Sequence, residues 1–241
     1  MTVRLADANI EAKIDILSKK LLYRTKGRGN IKNQERIEIK GGGFAMSVET
    51  MLSFLQGCGP EGRLGFQVAV QCAPVLKDVK ISNLMTGKPG AWRCIREKLK
   101  QSRVICVPLY QDGEKEVLFL YRYERLEEHL QRGKVQQFLR NCGYEEYEVT
   151  AVLKQLRRRY LQYAGAGGDF PHELGVLLEY PVEDVEGFIA NHGQNSLTAR
   201  YWKVYHNQPE AERIFRMYDE AKEQTLQEII QGSSLREVTV F

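Results

Sequence analysis

The chain has 241 residues, 43% hydrophobic and 27% charged, with a formal net charge of +4, proportions ordinary for a globular protein with one large core. No apolar run approaches the roughly 20 residues of a membrane-spanning helix, and charges break the apolar pattern of MTVRLADANIEAKIDIL, so neither a span nor a signal peptide is expected and the cytoplasm is the default location. Five cysteines, at 58, 72, 94, 106 and 142, are odd in number and far apart, which predicts reduced thiols instead of a disulfide framework.

Charge is unevenly spread. Residues 1–45 hold ten Lys or Arg against five Asp or Glu, a surplus of five, so the remaining residues sum to minus one. Attraction for polyanions is therefore concentrated in the N-terminal region, apart from the triplet Arg157, Arg158 and Arg159. Within that region Leu5–Tyr23 predicts an amphipathic helix, since Ile10, Ile14, Leu17 and Leu21 recur at three- or four-residue steps. YRTKGRGNIKNQERIEIKGGGF follows, basic and punctuated by glycine. An arm that contacts phosphate through Lys26, Arg28 and Lys32 fits it, and so does an ordinary solvated connection. The expected organisation is a helix and basic arm over residues 1–45 and an α+β domain over residues 46–241.

Ser47 suits the N-cap of a helix running through Leu55, and GCGPEG stops it. Leu64–Gln71 is a second helical segment. Pro74 cannot sit inside a helix without losing a bond to the preceding turn, which places Cys72 at a junction. A helix beginning at Pro74 would lower the thiol pKa through its dipole; one ending there would act the other way. Gly90–Lys100 forms the next helix, with Trp92, Ile95 and Leu99 inward. Val104–Tyr110 and Glu116–Tyr121 read as strands joined through Asp112-Gly113, a strong hairpin signal. Pro108 cannot donate to a ladder, so the first strand belongs at an edge or on a bulge. VLFLY in the second is apolar throughout, as a central strand covered on both faces would be.

Helices are then predicted at Arg125–Gln131, at Lys134–Asn141 with Gly143 as stop, and at Glu146–Tyr163. The last turns Val149, Val152, Leu153, Leu156, Tyr160 and Tyr163 inward and Arg157, Arg158 and Arg159 largely outward. The densest boundary signals lie in Phe170–His206. Asp169 and Pro171 suit a helix start, with Leu174, Leu177 and Leu178 on its inner face, although LGVLLEY is short enough to be a buried strand instead. Pro181 opens a second helix with Glu183 and Asp184 at its positive dipole end, Val182, Val185, Phe188 and Ile189 as core face, and Gly193 as left-handed cap. Gln194–Arg200 is polar and reads as a loop. Tyr201–His206 alternates, so that Trp202, Val204 and His206 share one strand face while Tyr201, Lys203 and Tyr205 share the other. A long helix capped by Asn207 runs to Ile230, with Gly232 as stop. The expected fold class is a helix-rich α+β single domain around a small antiparallel sheet of about three strands, Val104–Tyr110, Glu116–Tyr121 and Tyr201–His206.

Four ordered strings, CAPVL at 72–76, FPHELG at 170–175, EYPVEDVEGFI at 179–189 and YWKVY at 201–205, resemble a family of bacterial proteins, mainly from anaerobic Firmicutes, catalogued as domain of unknown function 3793. The resemblance covers roughly Phe66–Gln231. Where that family often has a cysteine and a glycine before YWKVY, this chain has Ala199 and Arg200. The resemblance implies a family and no activity.

Several chemistries lack their motif. GAGGDF misses the third glycine of a dinucleotide loop, MTGKPG misses the earlier glycine and the hydroxyl of a phosphate-binding P-loop, and neither C-x-x-C nor H-E-x-x-H occurs. No cofactor is assigned. A metal site from His172, Glu173, His192, His206 and Cys72 would draw on distant segments, and none is expected. The favoured site joins Cys72, His172 and Glu173 as catalytic candidates with Lys203, Tyr201 and Tyr205 as ligand-binding residues. Free amides at a helix start and the Lys203 ammonium suit a small anionic ligand, and the thiol or imidazole could add nucleophilic or acid–base chemistry. The plainer alternative makes Phe170 and Trp202 core, His172 and Glu173 a cap, and Lys203 a solvated strand residue. A second class is a nucleic-acid-associated module using Lys26, Arg28, Lys32, Arg157, Arg158 and Arg159. A third is a protein-interaction module using the long C-terminal helix or the arm.

Overall fold

The computed structural model describes residues 48–240; the predicted helix and arm of the first 45 residues, with Lys26, Arg28 and Lys32, and the Ser47 cap lie outside the described residues. Its elements run α1 (Val48–Gly57), α2 (Pro60–Leu76), β1 (Ser82–Gly87), α3 (Ala91–Lys98), β2 (Val104–Gln111), β3 (Glu116–Arg122), α4 (Tyr123–Leu130), α5 (Gly133–Asn141), α6 (Val149–Ala166), α7 (Glu173–Leu177), α8 (Val182–Ala190), β4 (Thr198–Ala199), β5 (Lys203–Val204) and α9 (Gln208–Ile230).

The apolar run in β3 leaves neither face fit for water, and the strand is accordingly central: the sheet order is β1-β3-β2, antiparallel throughout, and every β3 residue is buried. Pro108 lies on the edge strand β2, next to a bulge between Pro108 and Tyr110, so both ways of excusing its missing amide are used. Asp112 Oδ1 accepts from the amides of Glu114 and Lys115 and closes the hairpin. At the start of β3, the buried Glu116 carboxylate accepts from Gly90 N and Trp92 N, both at 2.8 Å, and so fixes the beginning of α3.

The third strand is a correction. It is β1, SNLMTG, not Tyr201–His206. β1 shows no apolar alternation because its outer edge is closed by polar side chains: Gln67 and Gln71 from α2 bond both the carbonyl and the amide of Thr86, and Asn83 donates to Gln71 O. In the Tyr201–His206 segment only Lys203–Val204 is strand, and it pairs with Thr198–Ala199, inside the expected loop, as a separate two-stranded ribbon.

Pro74 supplies a second correction. α2 runs through it to Leu76, so Cys72 lies inside a helix and at no junction. The missing amide costs α2 one bond two residues before its end, and the Pro74 carbonyl is taken by the amides of Val79 and Lys80. The same helix end is clamped by Arg122, which is 2% exposed: Nε donates to Val75 O, and Nη2 donates to Leu76 O and Val240 O.

Alternation along β3 divides the core. Val117, Phe119 and Tyr121 join one cluster with the inner faces of α4, α5 and α6 and with Leu174 and Leu177 of α7. Leu118 and Leu120 join another with Cys72 and Val75 of α2, Ile95 of α3, and Leu226 and Ile229 of α9. A third cluster seats Trp202 and Val204 of the ribbon on Ala211, Phe215 and Tyr218 of α9. Among the described residues no helix is long and apolar enough to cross a membrane.

Candidate functional site

Cys72 and the FPHE segment fall on opposite faces of the sheet. Cys72 has no exposed surface and packs with Met85, Leu118 and Leu120, and its sulfur lies 3.8 Å from Asn83 Nδ2. Phe170 and Leu174, on either side of His172, belong with Val117, Phe119 and Tyr121. The fold therefore does not bring the Cys72 thiol to the imidazole, because neighbouring β3 residues point to opposite clusters. The five cysteines form no disulfide, and among the described residues no group of three His, Cys, Asp or Glu is placed to hold a metal ion.

α7 is five residues long and begins at Glu173, later than Asp169 and Pro171 predict; the carbonyls of Pro171 and His172 already accept from Leu174 N and Gly175 N. His172 is half-buried between Phe170 and Phe188, with ring centroids at 5.4 and 5.7 Å. Burial lowers its pKa, against the opposing charges of Glu173 and Asp169. The ring is thus held neutral.

Glu173 has no exposed surface, yet both carboxylate oxygens are engaged: Arg159 Nε and Tyr144 Oη donate to Oε1, and Arg159 Nη2 donates to Oε2 at 3.3 Å. Arg159, expected to face outward with its two neighbours, turns in as the counter-ion of Glu173. The spacing carried that signal, since 152, 156, 159 and 163 form one helical stripe. Burial, with Glu173 alongside, raises the Tyr144 phenol and pushes the Cys142 thiol up to about 11. Both stay protonated near neutrality. Tyr144 carried no periodicity to mark it.

Lys203 is exposed; its Nζ donates to Gly193 O and lies 5.8 Å from the Phe188 ring centre. His172 and Lys203 thus meet at one ring, and they are the members of the predicted pocket that the fold brings together. Tyr201 is drawn away from Lys203 to the α9 side, whereas Tyr205 packs on α8 beside Phe188. Tyr201 donates to Asp219 Oδ1 at 2.9 Å and packs on Phe215 and Tyr218. Tyr205 lies against Gly187 so closely that a Cβ there would sit 2.6 Å from its own Cβ. His206, expected beside Trp202, is exposed, as is Ile189. Asp184 organises the segment: Oδ2 accepts from Trp202 Nε1, and Oδ1 accepts from the amides of Tyr205 and His206.

The open charges lie elsewhere. Lys154, Arg157, Arg158, Leu161, Gln162 and Gly165 line a shallow depression of about 470 Å³ on the outer face of α6. Arg157 and Arg158 occupy it as expected of outward residues, and Lys154 completes a triplet at i, i+3 and i+4. None of the three bonds to another described residue.

The family model described as a protein of unknown function, DUF3793, matches residues 68–239. Neither a curated protein nor a solved structure matches the chain. The matched span takes in the whole sheet, the buried carboxylates of Glu116, Glu173 and Asp184 and the α6 depression, and the chain belongs to the DUF3793 family of proteins of unknown function.

Proposed function

We propose that the protein works by binding a phosphate-bearing polyanion, nucleic acid being the partner to test, through the outer face of α6. One observation carries the reading: Lys154, Arg157 and Arg158 converge on one depression without any partner among the described residues, while their neighbour Arg159 is withdrawn to Glu173. Three unpaired cations on one helix face form the footprint that phosphate backbones recognise by counterion release. The surplus of five positive charges in residues 1–45 adds to the same attraction. Cys72 takes no part, being enclosed in the core.

The test is fluorescence anisotropy of a labelled oligonucleotide, single-stranded and duplex, with the full chain at several salt concentrations. Changing Lys154, Arg157 and Arg158 together to Ala is expected to weaken binding and to reduce the salt slope by about one for each lost phosphate contact. A chain lacking residues 1–45 divides the effect between arm and helix. Unchanged binding by the triple variant refutes the role of α6, and absence of binding by the intact chain at low salt refutes the reading.

A second reading rests on the ring shared by His172 and Lys203. The Lys203 ammonium spends one of its three donors on Gly193 O, leaving two for a small anion beside a neutral imidazole. Calorimetric titration with inorganic phosphate, compared between the intact protein and Lys203→Ala, tests it; equal heats remove it.

A further inference from the structure

The outer face of α4 mirrors that of α6 with the opposite sign. Glu124, Glu127 and Glu128 stand at i, i+3 and i+4, the spacing of Lys154, Arg157 and Arg158, and all six are exposed. None of the six side chains forms an ion pair or hydrogen bond with a described residue. Each triplet is accompanied by an exposed apolar residue, Tyr123 at 36% and Leu161 at 43%. α4 packs beside α6, and their inner faces share one core cluster, so their outer faces look out on the same side of the sheet.

We infer that two copies of this chain associate through this surface, the α4 carboxylates of each copy meeting the α6 cations of the other. A two-fold axis running between the helices makes both contacts at once. The interface is then isologous and closes as a dimer instead of a filament. On α6 the rows 154–158–162 and 157–161–165 leave a groove with Gly165 at one end, where an added Cβ would meet nothing within 4 Å, so a partner helix can lay its ridge there. The second copy is preferred to an unrelated acidic helix because the number, spacing and sign of the charges match within one sequence. This goes beyond polyanion binding and does not depend on it, although the two compete for the same α6 cations: an oligonucleotide needs α6 alone, whereas the dimer needs α4 as well.

The experiment is sedimentation velocity on the full chain and on charge-reversed chains, with circular dichroism confirming that each folds. The intact chain is expected to dimerise near 0.1 M salt, where the screening length is about 10 Å, and to lose at least tenfold in association near 1 M, where it is about 3 Å. Glu124→Lys, Glu127→Lys and Glu128→Lys together yield a monomer, and so do Lys154→Glu, Arg157→Glu and Arg158→Glu together. Mixing the two reversed chains restores a dimer, since each then offers what the other lacks. An intact chain that stays monomeric at low salt overturns the inference, as does a dimer that survives either reversal or a mixture that fails to associate. Oligonucleotide binding by a Glu124→Gln, Glu127→Gln, Glu128→Gln chain keeps the two readings apart, because those changes remove the dimer contact and leave the α6 cations in place.

Discussion

Glu173 and Asp184, inside the Phe170–His206 stretch, have every carboxylate oxygen engaged, whereas Lys154, Arg157 and Arg158, one helix earlier, bond to no other described residue. The first region spends its charges on holding elements together: Glu173 ties α7 to α6, and Asp184 ties the ribbon to α8. The second holds charge at no structural task. Arg158 and Arg159 make the contrast within two consecutive residues, one in the depression and one turned in against a buried carboxylate. Strings that are distinctive in sequence are thus distinctive here for architectural reasons, while the surface free to recognise something is built from commonplace residues.

Breaking the closed region is expected to cost most. Arg159→Ala leaves the Glu173 carboxylate buried with only Tyr144 as donor, and removing one partner of a buried pair typically costs about 3–5 kcal/mol. Arg159 itself is one-third exposed, so Glu173→Ala leaves a cation that can turn to water and costs less. Urea unfolding of both single variants and the Glu173→Ala, Arg159→Ala double variant measures the coupling. A double variant that loses the sum of the singles shows that the pair does not act as a unit.

His129 sharpens the contrast through pH. It is buried on the α7 side of the sheet, with Nε2 3.0 Å from Val176 O and Nδ1 without a hydrogen-bond partner among the described residues. Burial, with Arg132 adding to it, pushes the imidazole down to about 4 against the pull of Val176 O. Because the unfolded chain binds the proton more readily, the stabilisation is fully present above about pH 6.5 and falls away as pH drops to about 4, a loss of about 3 kcal/mol. Urea midpoints measured across that window should fall for the intact chain and fall by that much less for His129→Leu, whose own cost, the lost bond to Val176 O, does not vary with pH.

Much of the scaffold was legible in the sequence because its signals are local. Asp112-Gly113 marked the hairpin, VLFLY marked the central strand, and apolar spacing marked the long helices. What escaped depends on partners remote in sequence. SNLMTG is a strand because glutamines from α2 satisfy its edge, and nothing within the six residues says so. Pro74 reads locally as a break, but a proline two residues before a helix end forfeits a single bond that burial of Val75 and Leu76 outweighs. Of the predicted pocket, His172 and Lys203 came together at Phe188, while Cys72 went to the other face, a division decided by which β3 residues point up and which point down. Arg157 and Arg158 are legible as outward residues, while the inward turn of Arg159 depends on Glu173, fourteen residues further along the chain.

The smallest expected effect on stability separates the two regions most cleanly. Arg157→Ala and Arg158→Ala remove side chains with no partner among the described residues, from a helix interior where alanine is the most favourable residue. Each should therefore shift the unfolding free energy by no more than about 0.5 kcal/mol, in either direction. Repulsion within the triplet is relieved at the same time, which favours a slight gain over a slight loss. Thermal melts at low salt are the sensitive measurement, because the repulsion is least screened there. If either change cost as much as Arg159→Ala, the cations would be holding the fold together, and the distinction between closed and open charge on α6 would collapse.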